Sequence, residues 1–286
     1  MAARETLCDK YASTRVDGGR YIVQNNVWGA DTRQCVEVNG TSFRVTTADH
    51  NNSTSGAPAG YPSIYVGCHY RNCTIGSGLP VQVSRMNTVT SSWQTSSPST
   101  GVYNVAYDLW YDADPNAPAQ NDAELMIWLK YQGGVQPIGQ RVATGVSVAG
   151  ATWDIWQGNI GWNVISFIRT TPTDSVSGLD LTAFTDVAVA RGAVRPEWYL
   201  TSIQAGSSPG GAAPDSPRTP SRPPSADPRR PVAWVSPGHR LVKALDFPAS
   251  THQDQPRHIV INHVFRARGV CGCKSRKPSS ATPVGS

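Results

Sequence analysis

No run of about 18 apolar residues occurs in the chain, so no membrane-spanning helix and no membrane partner are expected. The first residues, Met1 to Ala12, carry no apolar run either, so no signal peptide is expected in them. Charged residues make up only 16% of the 286 positions, and helical periodicity is nearly absent. Many turns and few charges suit an all-β chain better than a helical one. Excess positive charge is also missing from the body. The formal net charge is +5, but residues 1–206 sum to −3 and residues 207–286 to +8. A nucleic-acid partner for the body is therefore not expected. Cysteine is absent between Cys73 and Cys271. Four are gathered at Cys8, Cys35, Cys68 and Cys73, which points to two disulfides and an oxidising compartment. Spacing does not fix their pairing, although Cys68 with Cys73 would close a short loop and leave Cys8 with Cys35.

What is present is turn-forming and aromatic: 26 Gly, 22 Pro and nine Trp. Short strands are expected at Tyr21 to Gly29, Tyr61 to Tyr70, Val81 to Met86, Val89 to Gln94, Ala151 to Gln157, Asn163 to Arg169 and Glu197 to Ala205. Cys35 to Val38 and Ser42 to Thr46 read as a hairpin around Asn39-Gly40. One helix is expected, capped by Asp180, striped by Leu181, Phe184 and Val187 or Ala188, and ended at Gly192. Many short strands with one helix argue for a jelly-roll β-sandwich of two curved antiparallel sheets.

The chemistry is concentrated in Ala123 to Leu129, which alternates with period two. Leu125, Ile127 and Leu129 form a core face; Glu124, Met126 and Trp128 form the other. A carboxylate, a thioether and an indole in one row suit a groove floor that holds a sugar ring. A plain wet-faced strand is the simpler alternative. Val102 to Asp112 alternates as well, with Asn104, Ala106, Asp108 and Trp110 on one side. An antiparallel pairing of the two strands would bring Asp108 beside Glu124.

Six segments in order resemble glycoside hydrolase family 12, most closely its bacterial, actinomycete-like endoglucanases. They are Gly19 to Gly29; Tyr61 to Tyr65 with Gly67 to Tyr70; Val102 to Asn104 with Tyr107 to Trp110; Glu124 to Trp128; Pro137 to Gly139; and Trp198 to Gly206. The resemblance covers residues 8–206. It implies a secreted endo-β-1,4-glucanase that hydrolyses cellulose or β-glucan by a retaining double displacement. It implies a jelly roll with a groove across its concave sheet, no metal, no cofactor and a monomer. Glu124 matches the nucleophile and Asp108 the carboxylate that supports it. Asn26, Trp28, Tyr65, His69, Met126, Trp128 and Gln204 match positions that bind the glucan. Pro137-Ile138-Gly139 matches a loop that crosses the groove. Disulfides Cys8–Cys35 and Cys68–Cys73 follow the bacterial pattern.

One departure from the family is chemical. Its acid/base is a Glu two residues after the Gly206 equivalent, and Ser208 stands there. A hydroxyl cannot protonate a leaving alkoxide as a carboxylic acid does, so impaired activity is expected. A non-catalytic β-glucan-binding protein on the same fold is the alternative. Glu197 is a poor substitute, since its parity sets it on the face opposite Gln204. From Ser207 the composition turns Pro-, Arg- and Ser-rich. Two parts follow: a catalytic domain over 1–206 lacking its last strand, and a disordered basic tail over 207–286, read as a shifted coding frame or a wrong splice, with a genuine diverged tail or linker as the alternative. Within that tail, His258 to Phe265 has strand character. Cys271 and Cys273 with His258 and His263 fit no familiar zinc spacing.

Overall fold

The structure, a computed structural model, describes residues 4–54, 56–117 and 122–211. The strand reading of His258 to Phe265, the Cys271/Cys273 group and the tail from 212 onward lie outside the described residues. The elements run β1 (Glu5–Leu7), β2 (Ser13–Val16), β3 (Tyr21–Gln24), β4 (Gln34–Asn39), β5 (Ser42–Ala48), β6 (Ser63–His69), β7 (Asn72–Cys73), β8 (Val81–Gln82) and β9 (Thr90–Gln94). They continue with β10 (Val102–Asp112), β11 (Ala123–Gln132), β12 (Gln140–Val148), β13 (Ala151–Asn159), β14 (Asn163–Arg169), β15 (Ser175–Asp180), α1 (Leu181–Ala190) and β16 (Tyr199–Gly211).

One large curved sheet dominates, in the order β12-β13-β14-β11-β10-β16-β6-β3-β2, with β7 beside β6 and β8 beside β16. Its pairs are antiparallel except β11 with β14, which run parallel. The sheet is therefore mixed rather than purely antiparallel. A three-stranded sheet (β1-β4-β5), a two-stranded sheet (β15-β9) and α1 share one core with its inner face. That core takes Tyr103, Val105, Tyr107 and Leu109 from β10, and Leu125, Ile127 and Leu129 from β11. Phe43 and Val38 enter from the small sheet, and Phe184 from the helix. The period-two alternation of β10 and β11 thus separates a core face from an open face, as expected.

The Asp180 cap is present: its Oδ1 accepts the N–H groups of Thr182 (2.9 Å) and Ala183 (3.3 Å). Of the expected stripe, Leu181, Phe184 and Ala188 are buried, and Gly192 follows the last turn with φ +71°. Both expected disulfides are formed, Cys8–Cys35 and Cys68–Cys73, the second joining directly opposed residues of β6 and β7.

Three expectations shift. The β4–β5 hairpin turns on Gly40-Thr41, because Asn39 still pairs with Ser42; Gly40 takes the positive φ (+58°) that the turn needs. The strand from Tyr21 stops at Gln24, since Asn26 adopts φ +46° and breaks the pleat. The last strand does not end at Gly206. Ser207, Ser208 and Pro209 pair with Val105, Asn104 and Tyr103, carrying β16 to Gly211. Pro209 is tolerated because its carbonyl, not a missing N–H, takes part, accepting from Ala59 N–H at 3.1 Å.

Candidate active site

The open face is best described by its cross-strand rows. Met126 faces Asp108, Asp108 faces Gln204, and Gln204 faces Tyr65 across β11, β10, β16 and β6. Four of the residues expected in the groove therefore form one continuous row. On one side lies the row Glu124, Trp110, Ser202 and Gly67. On the other lies Trp128, Ala106, Gly206, Ser63 and Gln24. Beyond it Ser208 pairs with Asn104. Glu124 and Ser208 are thus two strands apart, with Asp108 and Ala106 between their levels on β10. Gly206 is required in this floor, because a Cβ there would lie 2.4 Å from Pro62 O and 3.0 Å from the Tyr61 ring.

Met126, Trp128, Ala106 and Ile168 make a small apolar cluster on this face, with Val135 and Trp156 packed against it. Val135 brings the loop before β12 over the floor. That loop is pressed onto β13 at Gly139, where a Cβ would meet Gln157 O at 2.0 Å. Trp28 stands 48% exposed in the segment after β3, beside Asn26. His69 accepts from Gln204 Nε2 at its Nδ1 (3.2 Å), which puts the ring proton on Nε2. Gln204 Oε1 accepts from Gln24 Nε2 (3.1 Å) and Ser63 Oγ (3.3 Å), so both ends of this amide are held by protein. Tyr65 is buried and its hydroxyl donates to Asn72 O at 3.0 Å.

Glu124 is 7% exposed and Asp108 4%. Burial pushes the Glu124 carboxyl up to about 7, opposed by a hydrogen bond that Trp162 Nε1 donates to its Oε2 at 3.1 Å. Burial, and then the negative charge of Glu124, push Asp108 well above the usual carboxylate range. Two buried carboxyls in one site do not both ionise easily. Glu124 has the indole N–H to hold a negative charge, whereas Asp108 Oδ1 is buried without a hydrogen-bond partner. The arrangement therefore favours ionised Glu124 beside protonated Asp108. Burial also lowers His69 to about 4, so its ring is neutral near pH 7.

Trp162 was not visible from the sequence as a site residue. It sits in the tight turn between β13 and β14, with its ring 6.1 Å from Trp110. Only the parallel β11–β14 pairing brings that turn to Glu124, and alternation does not reveal it. Ser207 is tied down by its hydroxyl, which donates to Asn104 O at 2.6 Å, while the Ser208 N–H donates to Asn104 Oδ1 at 2.9 Å. Glu197 precedes β16 and is largely exposed near Arg195. Among the described residues no group of His, Cys, Asp and Glu is arranged to hold a metal ion.

A jelly-roll sheet with an aromatic-lined open face and a buried carboxyl pair defines a carbohydrate-cleaving hydrolase. The profile of glycosyl hydrolase family 12 matches residues 19–216, and the chain belongs to that family. It is similar to endoglucanase S of Pectobacterium parmentieri, 33% identical over 201 residues, covering 65% of this chain and 75% of that one. Among solved structures it is similar to endoglucanase cel12A from Rhodothermus marinus, at 50% identity and TM-score 0.70, covering 73% of this chain and 94% of that one. A native family 12 xyloglucanase from Bacillus licheniformis is similar at 28% identity and TM-score 0.67, with 73% and 94% covered.

Proposed function

We propose that the chain is an endo-β-1,4-glucanase of secreted type, with Glu124 as nucleophile and Asp108 as the acid that supports it. The observation that carries this reading is the donor pattern of the carboxyl pair: Trp162 N–H on Glu124, and an unpartnered buried oxygen on Asp108. A glucan lying across the strands would rest on Met126, Asp108, Gln204 and Trp128, with Trp28 and Asn26 at one end. Trp128 Nε1 and Ser166 Oγ, both on the open face, are also buried without partners. Buried polar atoms of this kind are normally satisfied by water or ligand, and sugar hydroxyls would serve. Glu124 would attack the anomeric carbon as the glycosidic bond breaks, giving a covalent glycosyl-enzyme that water then releases. The family's proton donor is replaced by Ser208, so departure of an unactivated sugar is slow. The disulfides and the glucanase relatives support an oxidising, extracellular setting.

The experiment uses an aryl β-cello-oligoside with a good leaving group, with and without azide. Such a group departs with little acid help, and azide attacks the glycosyl-enzyme without a general base. Azide-dependent turnover is expected. Its absence in folded protein would favour the second reading, a β-glucan-binding protein without catalysis, for which Ser208 is the specific argument.

Trp162→Phe provides a check on the assignment of charge. The hydrogen bond favours the ionised form of Glu124, so its loss raises that pKa. The half-point for covalent labelling of Glu124 should move from about 7 to higher pH, by about one pH unit. A pH profile unchanged from wild type would remove Trp162 from the nucleophile's support.

A further inference from the structure

We propose that Tyr131 and the cavity beside it form an additional glucosyl-binding position at the β11 side of the groove, outside the residues that the resemblance assigns to substrate. The proposal rests on the endoglucanase reading above. A β-bulge carries it. Val105 pairs with Lys130 but Ala106 pairs with Trp128, so Leu129 is an extra residue on β11. Simple alternation from Trp128 would turn Tyr131 toward the core. The extra residue reverses this and sets Tyr131 opposite Asn104, on the open face.

The Tyr131 ring is then 6.0 Å from the Trp128 ring and 45% exposed. Trp128 is itself buried, so Tyr131 is the exposed end of this aromatic pair. Tyr131 shares its row with Asn104 and Ser208, so it extends the same wall that bears the acid/base position. It lies two strands from β16, about 10 Å across the sheet, on the order of two glucosyl units from that position.

Next to it is a cavity of about 500 Å³. Its lining includes Tyr131 and Ile168 on the apolar side, and Asp154, Arg169 and Thr170 on the polar side. Asp154 is held by Arg141 and by the Gly145 N–H, and Arg169 turns to the other face of β14, its guanidinium 5.7 Å from the Trp153 ring, so Asp154 and Thr170 are the polar edge on the side of Tyr131. A pyranose presents an apolar C–H face and a rim of hydroxyls. An aromatic platform with hydrogen-bonding groups at its edge is the complement of that shape.

The test measures binding of cellotriose, cellotetraose, cellopentaose and cellohexaose by calorimetry. The full chain carries Glu124→Gln so that the ligands stay intact, with and without Tyr131→Ala, and with Tyr131→Trp as the conservative variant. The longest oligosaccharides should lose about tenfold in affinity in Tyr131→Ala, cellotriose should be unchanged, and Tyr131→Trp should restore the length dependence. An equal loss at every length, or no loss at any, would overturn the proposal while leaving the endoglucanase reading in place. No binding of any oligosaccharide by the Glu124→Gln parent would remove both.

Discussion

Ser208→Glu is expected to raise turnover of unactivated cello-oligosaccharides by about 10²–10⁴-fold, the usual contribution of a positioned general acid. Ser208 lies on the open face, level with Asn104, and its backbone N–H is fixed by Asn104 Oδ1 at 2.9 Å. The strand is therefore already held where a longer side chain can reach into the groove. The site is buried, which raises the pKa of a carboxyl placed there and keeps it protonated for its task. Retaining cleavage needs a second, protonated carboxyl roughly 5–5.5 Å from the nucleophile, and the family resemblance puts that carboxyl at position 208. The measurement is kcat on cellohexaose compared with an activated aryl cellobioside. The gain should be large for the first and small for the second. Equal gains on both substrates, or none in a variant that melts like wild type, would mean that position 208 is not where the proton is delivered.

Glu124→Gln should abolish covalent labelling by an activated aryl cellobioside fluorinated next to its anomeric carbon. Wild-type protein should gain one fluorocellobiosyl group, seen by mass spectrometry, because labelling requires only the nucleophile and a good leaving group. The variant should label at least about 10⁴-fold more slowly, the scale of losing a nucleophile that acts as part of a unit. Glu124 is the natural choice on physical grounds. It is the carboxyl with a charge-supporting donor, and it stands next to one that holds its proton. Wild-type labelling that maps to Asp108 instead would exchange the two roles.

Much of this candidate site was legible because β10 alternates, and β11 alternates from Ala123 to Leu129. Leu125, Ile127 and Leu129 enter the core while Met126 and Trp128 stay on the open face, so the Asp108–Met126 row follows from period two and one antiparallel pairing. The helix was legible because its cap is local, a carboxylate within three residues of the N–H groups it accepts. What escaped depends on events that alternation does not encode. The parallel β11–β14 pairing delivers Trp162 to Glu124 from 38 positions along the chain. The bulge at Leu129 reverses the parity of Tyr131. Strand β12 is an edge strand, largely exposed and twice irregular against β13, so it carries no clean pattern. The end of β3 was set by a left-handed Asn26, a backbone conformation that alternation does not encode.

The place of β16 in the sheet order has a consequence for how the molecule comes into being. It is the last strand of the described chain, yet it lies between β10 and β6 near the middle of the large sheet. During synthesis the nascent chain must hold β6 and β10 apart, each with an unpaired edge, until residues near 211 leave the ribosome. Pairings this distant in sequence form slowly, and unpaired edges invite association with other chains in the interval. A chaperone that shields strand edges should therefore raise the yield of folded protein, and slowed translation, which lengthens the interval, should lower it.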